Sequence, residues 1–404
     1  MVNWDAPITD IDPAAVAVGY HRMHPDRGME FQLNRFLQWI GPAALPEIRT
    51  AAGRIGTYAE WVTVFLELAE QARDSGRAMA GAYYDRAAEF FMVAGDPRRG
   101  PARGRFVHAM RELYQLQPVD VPYGAAALPA YDVAPPDAPP RGVIVVCGGF
   151  DEYPEEVFPL LLAGARAGYR LIAFDGPGQG GALEDHALSL TAAWERPVAA
   201  VLDHFGLDEV TLIGVSLGGG LVIRAAAHEP RIRRVVALDV LDDFLECLTR
   251  QAFPAAGPLL RIALACHARR LINRAAGLAA ARKPIAAWGL RHGMHVTGTR
   301  DAYGFFRAAQ SLSTHADSAR VTADVLLLAG ADDHYVPAHQ LRRQAAALTN
   351  ANSITTRVFT PAEQAQNHCQ IGNIGLCLQV ILTWLHTCES GKPSAATSST
   401  VGQG

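Results

Sequence analysis

The spacing of apolar residues changes partway along the chain. Before residue 118, apolar residues recur at i, i+3 and i+4, as in WVTVFLELAEQARDSG (61–76) and MAGAYYDRAAEFFMVAG (79–95). This spacing predicts amphipathic helices, and no convincing strand pattern occurs there. We therefore expect residues 1–117 to form an N-terminal helical domain.

From residue 118 onward, strand patterns dominate. PVDVPYG and ALPAYDV predict two short strands. Further apolar runs follow: VIVVC (143–147), YRLIAF (169–174), VTLIGV (210–215), RVVALD (234–239), DVLLLAG (324–330) and the weaker TTRVFT (355–360). Continuous Val, Ile and Leu runs separated by helical stretches predict a largely parallel sheet covered on both faces.

One interval breaks this alternation. Residues 240–318 are too many for a single crossover and have a helical pattern, so we expect them to form a cap over the carboxyl edge of the sheet. Residues 118–390 would then form the α/β core that carries this insertion. The apolar-poor tail, residues 391–404, is expected to be disordered.

The stretch VTLIGVSLGGG (210–220) places Ser216 between Gly214 and Gly218, directly after a predicted strand. LVIRAAAHEP follows and predicts a helix. A GxSxG string alone is weak evidence, and a small serine in a turn is the structural alternative. The sequence of strand, tight turn and helix is the context of a nucleophile elbow, which favours Ser216 as a nucleophile.

A serine hydroxyl needs a base and an orienting carboxylate. GADDHYVP (330–337) follows a predicted strand and offers Asp333, which we prefer to the neighbouring Asp332. QNHCQIGN places His368 before the closing helix. The order Ser, acid, His is the one that this type of fold requires. The structural alternatives are a turn or N-cap aspartate and a surface histidine.

The loop after VIVVC, CGGFDEYP, is glycine-rich and could bring backbone N–H groups close to a bound carbonyl. We expect the N–H groups of Leu217 and Phe150 to stabilise an oxyanion, with that of Gly149 as the alternative second donor. Residues near predicted strand ends or in the cap are candidates for the substrate pocket: Asp151, Glu152, Tyr153, Asp175 and His292.

A competing motif is GPGQGG (176–181), which formally matches the GxGxxG dinucleotide fingerprint. Pro177 lies inside it, it follows the second strong parallel run, and no acidic strand end lies at the usual distance. The sequence therefore disfavours a dinucleotide site.

Composition narrows the ligand class. The chain has 404 residues, of which 36 are basic and 40 acidic, and a net charge of -4. It therefore lacks the surplus of basic residues that would indicate binding to a nucleic acid or to an acidic membrane. Its six cysteines show neither a CxxC pair nor zinc spacing, so no metal is expected. With no secretory leader pattern and no apolar stretch of about 18 residues, we expect a cytoplasmic protein with a small neutral or apolar substrate.

Several motifs together resemble a known family: LIAFDGPGQG, WERPVAAVLDHFG, LIGVSLGGG, AGADDHYVP and NHCQIGN, with AYYDRAAEFF and WGLRHGMHVTG in the helical parts. They resemble the α/β-hydrolase group that contains 2,6-dihydroxypseudooxynicotine hydrolase, fungal pigment hydrolases that shorten polyketide chains, and esterases related to the fermentation-respiration switch protein. The resemblance covers most of residues 55–388.

The resemblance implies an α/β-hydrolase fold with a mostly parallel eight-stranded sheet and an N-terminal helical cap over the active site. It implies Ser216, Asp333 and His368 as the triad, no cofactor, and a possible homodimer. Several members hydrolyse a carbon–carbon bond beside a ketone, and others are esterases or peptidases.

The leading hypothesis is hydrolysis of a carbon–carbon bond beside a ketone in an aromatic or polyketide-like substrate. The alternatives are an ester or thioester hydrolase, an acyltransferase, and a non-catalytic ligand-binding protein of the same fold. Tyr83, Tyr84, Phe90 and Phe91 could roof an aromatic pocket, although an amphipathic helix buries such side chains in any case.

Overall fold

The computed structural model describes residue 2 and residues 18–136, 138–252 and 256–390. The tail expected to be disordered, residues 391–404, lies outside the described residues. The two divisions predicted from the sequence, near residue 117 and around the insertion 240–318, stay predictions of domain organisation.

A single eight-stranded sheet runs through the described part of the chain, in the order β1-β2-β4-β3-β5-β6-β7-β8. Strands β1 and β2 pair antiparallel, β2 pairs antiparallel with β4, and all other neighbours are parallel. The strands are β1 (Val119–Tyr123), β2 (Ala126–Val133), β3 (Val143–Cys147), β4 (Arg170–Phe174), β5 (Val210–Val215), β6 (Ile232–Leu238), β7 (Asp324–Gly330) and β8 (Ser353–Phe359).

Sixteen α-helices occur within the described residues. Five precede the sheet: α1 (Arg27–Ile40), α2 (Leu45–Ala52), α3 (Tyr58–Asp74), α4 (Ala78–Phe90) and α5 (Arg99–Tyr114). Four alternate with the first strands: α6 (Phe158–Arg166), α7 (Gly180–Glu184), α8 (Glu195–Phe205) and α9 (Leu217–Ala226). Five lie between β6 and β7: α10 (Phe244–Ala252), α11 (Gly257–Ala265), α12 (Arg269–Arg282), α13 (Pro284–Thr297) and α14 (Ala302–Ser311). Two complete the fold: α15 (Ala338–Ala347) and α16 (Ile374–Glu389).

The central strands are apolar on both faces because helices cover both sides of the sheet. On β5, Leu212 packs into one apolar cluster and the next residue, Ile213, into another. On β6, Val235 packs into the first of these clusters and Val236 into the second. The alternation of side chains along a strand explains this division, and the uninterrupted apolar runs in the sequence are its signature.

The predicted α/β-hydrolase fold is confirmed. Each of the eight strand patterns forms a strand, with bounds that agree within two residues. Because β5, β6 and β7 are parallel neighbours, their carboxyl ends meet at one edge of the sheet. Side chains that follow these three strands are therefore brought together.

In the described part of the chain, no single helix has the length and apolar character needed to cross a membrane. One sharply bent pair, Pro361–Gln370 with Ile374–Glu389, meets that test by length and composition only.

Candidate active site

Ser216 occupies a sharp turn between β5 and α9. Its backbone has φ 56° and ψ −119°, a strained conformation that presents the side chain at the end of the strand. The two flanking positions must be glycine, because a Cβ atom at either would lie too close to neighbouring backbone atoms. A Cβ atom on Gly214 would lie 2.1 Å from the carbonyl oxygen of Gly218, and one on Gly218 would lie 2.5 Å from that of Gly148.

A continuous chain of hydrogen bonds joins the three residues predicted as a triad. The Oγ atom of Ser216 lies 2.8 Å from Nε2 of His368, and Nδ1 of His368 lies 2.7 Å from Oδ2 of Asp333. The other carboxylate oxygen of Asp333 accepts from the N–H groups of Tyr335 and Val336, at 2.7 and 2.9 Å. Asp332 is exposed, whereas Asp333 is buried. The network fits a histidine that carries its proton on Nδ1 and can accept the serine proton at Nε2.

A second carboxylate reaches the same histidine nitrogen. Oδ2 of Asp239, the residue after β6, lies 2.9 Å from Nδ1 of His368. Burial alone lowers the pKa of His368, but the charge of Asp333, with further contributions from Cys369 and Asp239, outweighs burial, and the pKa is raised well above its ordinary value. Asp239 was not among the residues predicted from the sequence. Its position at the carboxyl end of the strand beside β5 was the available signal.

The glycine-rich loop after β3 lies against the serine turn. A Cβ atom on Gly149 would be 2.9 Å from Cβ of Ser216 and 3.4 Å from the backbone nitrogen of Leu217. Leu217 is the first residue of α9, so its N–H has no partner within the helix. The structure thus brings Leu217 and the Gly149–Phe150 segment together beside Ser216, where the oxyanion donors are expected.

Gln179 fixes the orientation of this loop. Its side-chain amide donates to the carbonyl oxygens of Gly148 and Gly149, at 2.5 and 3.1 Å, while its own oxygen accepts from the N–H of Gly176. The N–H of a trans peptide points opposite to its carbonyl, so the N–H groups of Gly149 and Phe150 point away from Gln179. Gln179 belongs to the GPGQGG motif, and the match of that motif to a nucleotide fingerprint gives no indication of this role.

Ser216 and His368 open into a cavity of about 510 Å³. Its wall is largely apolar and comes from α1, the loop after β3 and the helices between β6 and β7. Among the lining residues are Phe31, Trp39, Leu241, Phe244, Leu260 and Phe305. Such a wall accommodates a neutral apolar molecule better than a charged one.

A cluster of charged groups lies at one side of the cavity. Arg35 of α1 pairs with Glu156 at 2.5 Å and with Asp151 at 3.0 Å. Glu152 also lines the cavity, and burial, with repulsion from Glu156, raises its pKa to about 7. The structure therefore brings the predicted Asp151 and Glu152 to the cavity. Arg35 was not predicted, because nothing local in α1 distinguishes it from a surface arginine.

Four other predicted pocket residues do not line this cavity. Tyr153 is buried behind it, and its hydroxyl donates to Glu89 at 3.1 Å. Nε2 of His292 lies 3.0 Å from the Phe150 carbonyl oxygen, and burial lowers its pKa, so the neutral ring supports the loop from behind. The last two are tied elsewhere: Asp175 accepts from the N–H of Gly181, and Tyr84 donates to Glu47.

The aromatic residues of α4 and its C-cap residue Phe91 are buried in apolar clusters. Tyr84, Phe90 and Phe91 pack in one apolar cluster with Phe36 and Trp61, and Tyr83 packs in a second cluster. The sequence pattern of an amphipathic helix predicts that its aromatic residues are buried, but not which part of the protein they pack against.

One group of three potential metal ligands occurs in the described residues: Asp239, His368 and Cys369. Hydrogen bonds already use two of them. Asp239 accepts from His368 and from the backbone N–H of Cys369. We therefore interpret the cluster as part of the hydrogen-bond network around His368.

Comparison with known proteins agrees with this architecture. Residues 142–260 match the family described as α/β hydrolase fold. The chain is 32% identical over 276 residues to a hydrolase from a Fusarium species, and 31% identical over 279 residues to 20-hydroxy-prefusarin hydrolase of Gibberella moniliformis. Each alignment covers 58% of this chain. The two alignments span 65% and 66% of the relatives' own lengths, which is slightly less than two thirds.

Solved structures show the same fold over most of the chain. The crystal structure of 2,6-dihydroxy-pseudo-oxynicotine hydrolase matches with a TM-score of 0.63 and 18% identity, covering 91% of this chain and 98% of that one. The wild-type AbyA5 structure matches with a TM-score of 0.66 and 18% identity, covering 91% and 95%. The hydrolase names of the relatives agree with the expectation of an enzyme. The strand order, the matched segment and these solved structures thus agree on an α/β-hydrolase fold for this chain.

Proposed function

We propose that the protein is a serine hydrolase that cleaves a carbon–carbon bond beside a ketone in a neutral aromatic or polyketide-like substrate. One observation carries the proposal. The hydrogen-bonded chain of Ser216, His368 and Asp333 opens into an apolar cavity beside a glycine-rich loop. This arrangement supplies a nucleophile, a base and a site for an oxyanion.

The first step forms an acyl-enzyme. Nε2 of His368 takes the proton of Ser216 as Oγ attacks the ketone carbon. The N–H of Leu217, with that of Phe150 or Gly149, stabilises the oxyanion. The two buried carboxylates favour the imidazolium that forms on His368.

Collapse of the tetrahedral intermediate breaks the carbon–carbon bond. The electron pair goes to the departing carbon, which must be enolisable or electron-poor to accept it, and the His368 imidazolium returns its proton to that fragment. Water, deprotonated by His368, then attacks the ester on Ser216 and releases a carboxylic acid. The net change is the addition of one water molecule across the broken bond.

The choice of a carbon–carbon bond rests on the motif resemblance and on the largely apolar wall of the cavity. The relatives add support at the level of substrate class, because one of them is named for a prefusarin derivative. An ester or thioester hydrolase, or an acyltransferase, would use the same three residues with an easier leaving group.

The test is to incubate the wild type and Ser216→Ala with one aryl ester and one matched aryl β-diketone, and to identify the products by mass spectrometry. We expect Ser216-dependent cleavage of the diketone to an acid and a methyl ketone. Cleavage of the ester alone would overturn the carbon–carbon assignment and leave an esterase. An added amine that appears in the product would indicate acyl transfer.

A further inference from the structure

His368 has an unusual environment for a histidine that acts as a base, because two buried carboxylates face the same ring nitrogen. Nδ1 lies 2.7 Å from Asp333 and 2.9 Å from Asp239. The side chains of Asp333 and Asp239 are 2% and 1% exposed. One N–H can be shared between two acceptors, but a single carboxylate would be enough to orient the ring.

The backbone and its neighbours hold Asp239 in this position. It directly follows β6, with φ 62°, in the left-handed region that a residue with a Cβ atom adopts at a cost. Its carboxylate accepts from the backbone N–H of Cys369 and, at 3.1 Å, from the side chain of Gln370. Both donors lie on the segment that carries His368, so Asp239 ties this segment to the end of β6.

The charge distribution also differs between the two acids. Burial raises the pKa of both carboxyl groups. For Asp239 the interaction with His368 and the two donors from Cys369 and Gln370 outweigh burial, and its pKa is lowered. For Asp333 burial, with repulsion from Asp239, prevails and its pKa is raised. The two donors from the His368 segment therefore favour the ionised form of Asp239.

We propose that Asp239 is a second acid partner of His368, a positioning residue that holds the histidine tautomer together with Asp333 and can maintain it when Asp333 is neutralised. The inference rests on the proposed role of His368 as the base for Ser216. It predicts that the acid function is divided between two strand ends, after β6 and after β7.

Other titratable groups also face the imidazole. Cys369 lies on the same segment, His334 and Tyr335 come from the loop after β7, and Cys247 comes from α10. Across the cavity are Glu152 and Arg35. Cys369 also forms a side-chain hydrogen bond with His368. All of these groups stay unchanged in Asp239→Asn, so a change in the titration of His368 in that variant reports the loss of the Asp239 charge.

The experiment measures covalent labelling of Ser216 by a fluorophosphonate probe as a function of pH, with the labelled peptide identified by mass spectrometry. This readout needs no knowledge of the natural substrate. The variants are Asp239→Asn, Asp333→Asn and the double variant, each checked by its melting temperature. Asp242→Asn is the matched control, because Asp242 is also buried after β6 and pairs with a histidine, His315.

In Asp239→Asn we expect the midpoint of the acid limb to move to lower pH by about one unit, because one of the two carboxylates that favour the imidazolium is lost. Asp333→Asn should label about 10- to 100-fold more slowly than the wild type, and the double variant at least about 100-fold more slowly again, since a triad that loses its only acid falls by about 10⁴-fold. Asp242→Asn should keep the wild-type midpoint.

The inference is overturned if folded Asp239→Asn keeps the wild-type midpoint, or if Asp333→Asn alone is as slow as the double variant. A different result tests the proposed function. If the wild type is not labelled at Ser216, the serine mechanism itself fails, whatever the carboxylates do.

Discussion

The Oγ atom of Ser216 lies 2.8 Å from Nε2 of His368, within reach of direct proton transfer. Replacing either residue with alanine should therefore abolish the activity. We expect a loss of about 10⁴-fold or more in kcat for Ser216→Ala and for His368→Ala, with little change in melting temperature. Turnover of an aryl ester by each purified variant measures this loss. Wild-type turnover by either variant would end the assignment.

The pH dependence should follow the titration of His368. Its pKa is raised well above the ordinary value, because the charge of Asp333, with further contributions from Cys369 and Asp239, outweighs the effect of burial. An imidazolium cannot take the serine proton, so the rate is low at acid pH and rises as the pH passes the raised pKa. We expect the midpoint of kcat/KM to lie above about 6.5, the value for an ordinary histidine. A profile of aryl ester hydrolysis between pH 5 and 10 measures it, and a midpoint at or below 6.5 would contradict the account.

Gly149→Ala should damage catalysis through a steric clash. The new Cβ atom would lie 2.9 Å from both Cβ of Ser216 and the carbonyl oxygen of Val215, so the loop or the serine must shift. We expect kcat to fall by about 100-fold, the cost of misplacing reacting groups by about 1 Å. Gly104→Ala is the control, because a Cβ there meets nothing within 4 Å. Equal kcat values for the two variants would show that the loop does not act in the reaction.

Gln179→Leu should lower kcat more than it changes KM. The substitution removes both donors to the carbonyls of Gly148 and Gly149, so the amides that we propose as oxyanion donors lose their fixed orientation. We expect a fall of about tenfold or more. Gln344→Leu is a matched control, since that buried side chain bonds to Thr314 and Ser318 away from the cavity. It should lower the melting temperature and leave kcat unchanged. A Gln179→Leu enzyme with wild-type kcat would remove Gln179 from the mechanism.

The cavity should discriminate by charge. Its wall is largely apolar, and Asp151, Glu152 and Glu156 lie at one side, partly balanced by Arg35. We therefore expect an uncharged aryl ester to have a KM at least about tenfold lower than an isosteric ester that carries a carboxylate, because the anion would lose its hydration without a free cation to meet it. Equal KM values would show that the substrate binds elsewhere.

Much of the fold could be predicted because its signals are local. A buried parallel strand must be apolar on both faces, so runs such as VTLIGV and DVLLLAG locate β5 and β7 closely. The turn around Ser216 needs glycines at fixed positions, since Cβ atoms there would collide with backbone. The order of Ser216, Asp333 and His368 along the chain then suggested which side chains meet.

The residues that sequence reasoning missed depend on long-range packing. Arg35 enters the cavity only because α1 lies over the sheet edge, and no feature of α1 itself indicates this. Tyr84 was expected near the pocket but joins the helical core, since an aromatic residue on an amphipathic helix can pack in either place. The positions of Asp239 and Gln179 in the sequence could have indicated that both lie near Ser216. Asp239 follows β6, the strand next to β5, and Gln179 lies in a turn at the same edge of the sheet.

The most direct test of the central claim is to trap the acyl-enzyme. The wild type is mixed with a p-nitrophenyl ester, quenched in acid within the first turnover, and analysed by intact mass and peptide mapping. The account predicts a transient mass increase equal to the acyl group, on the peptide that contains Ser216, and none in Ser216→Ala. An acyl group on another residue, or undiminished turnover by Ser216→Ala, would contradict it.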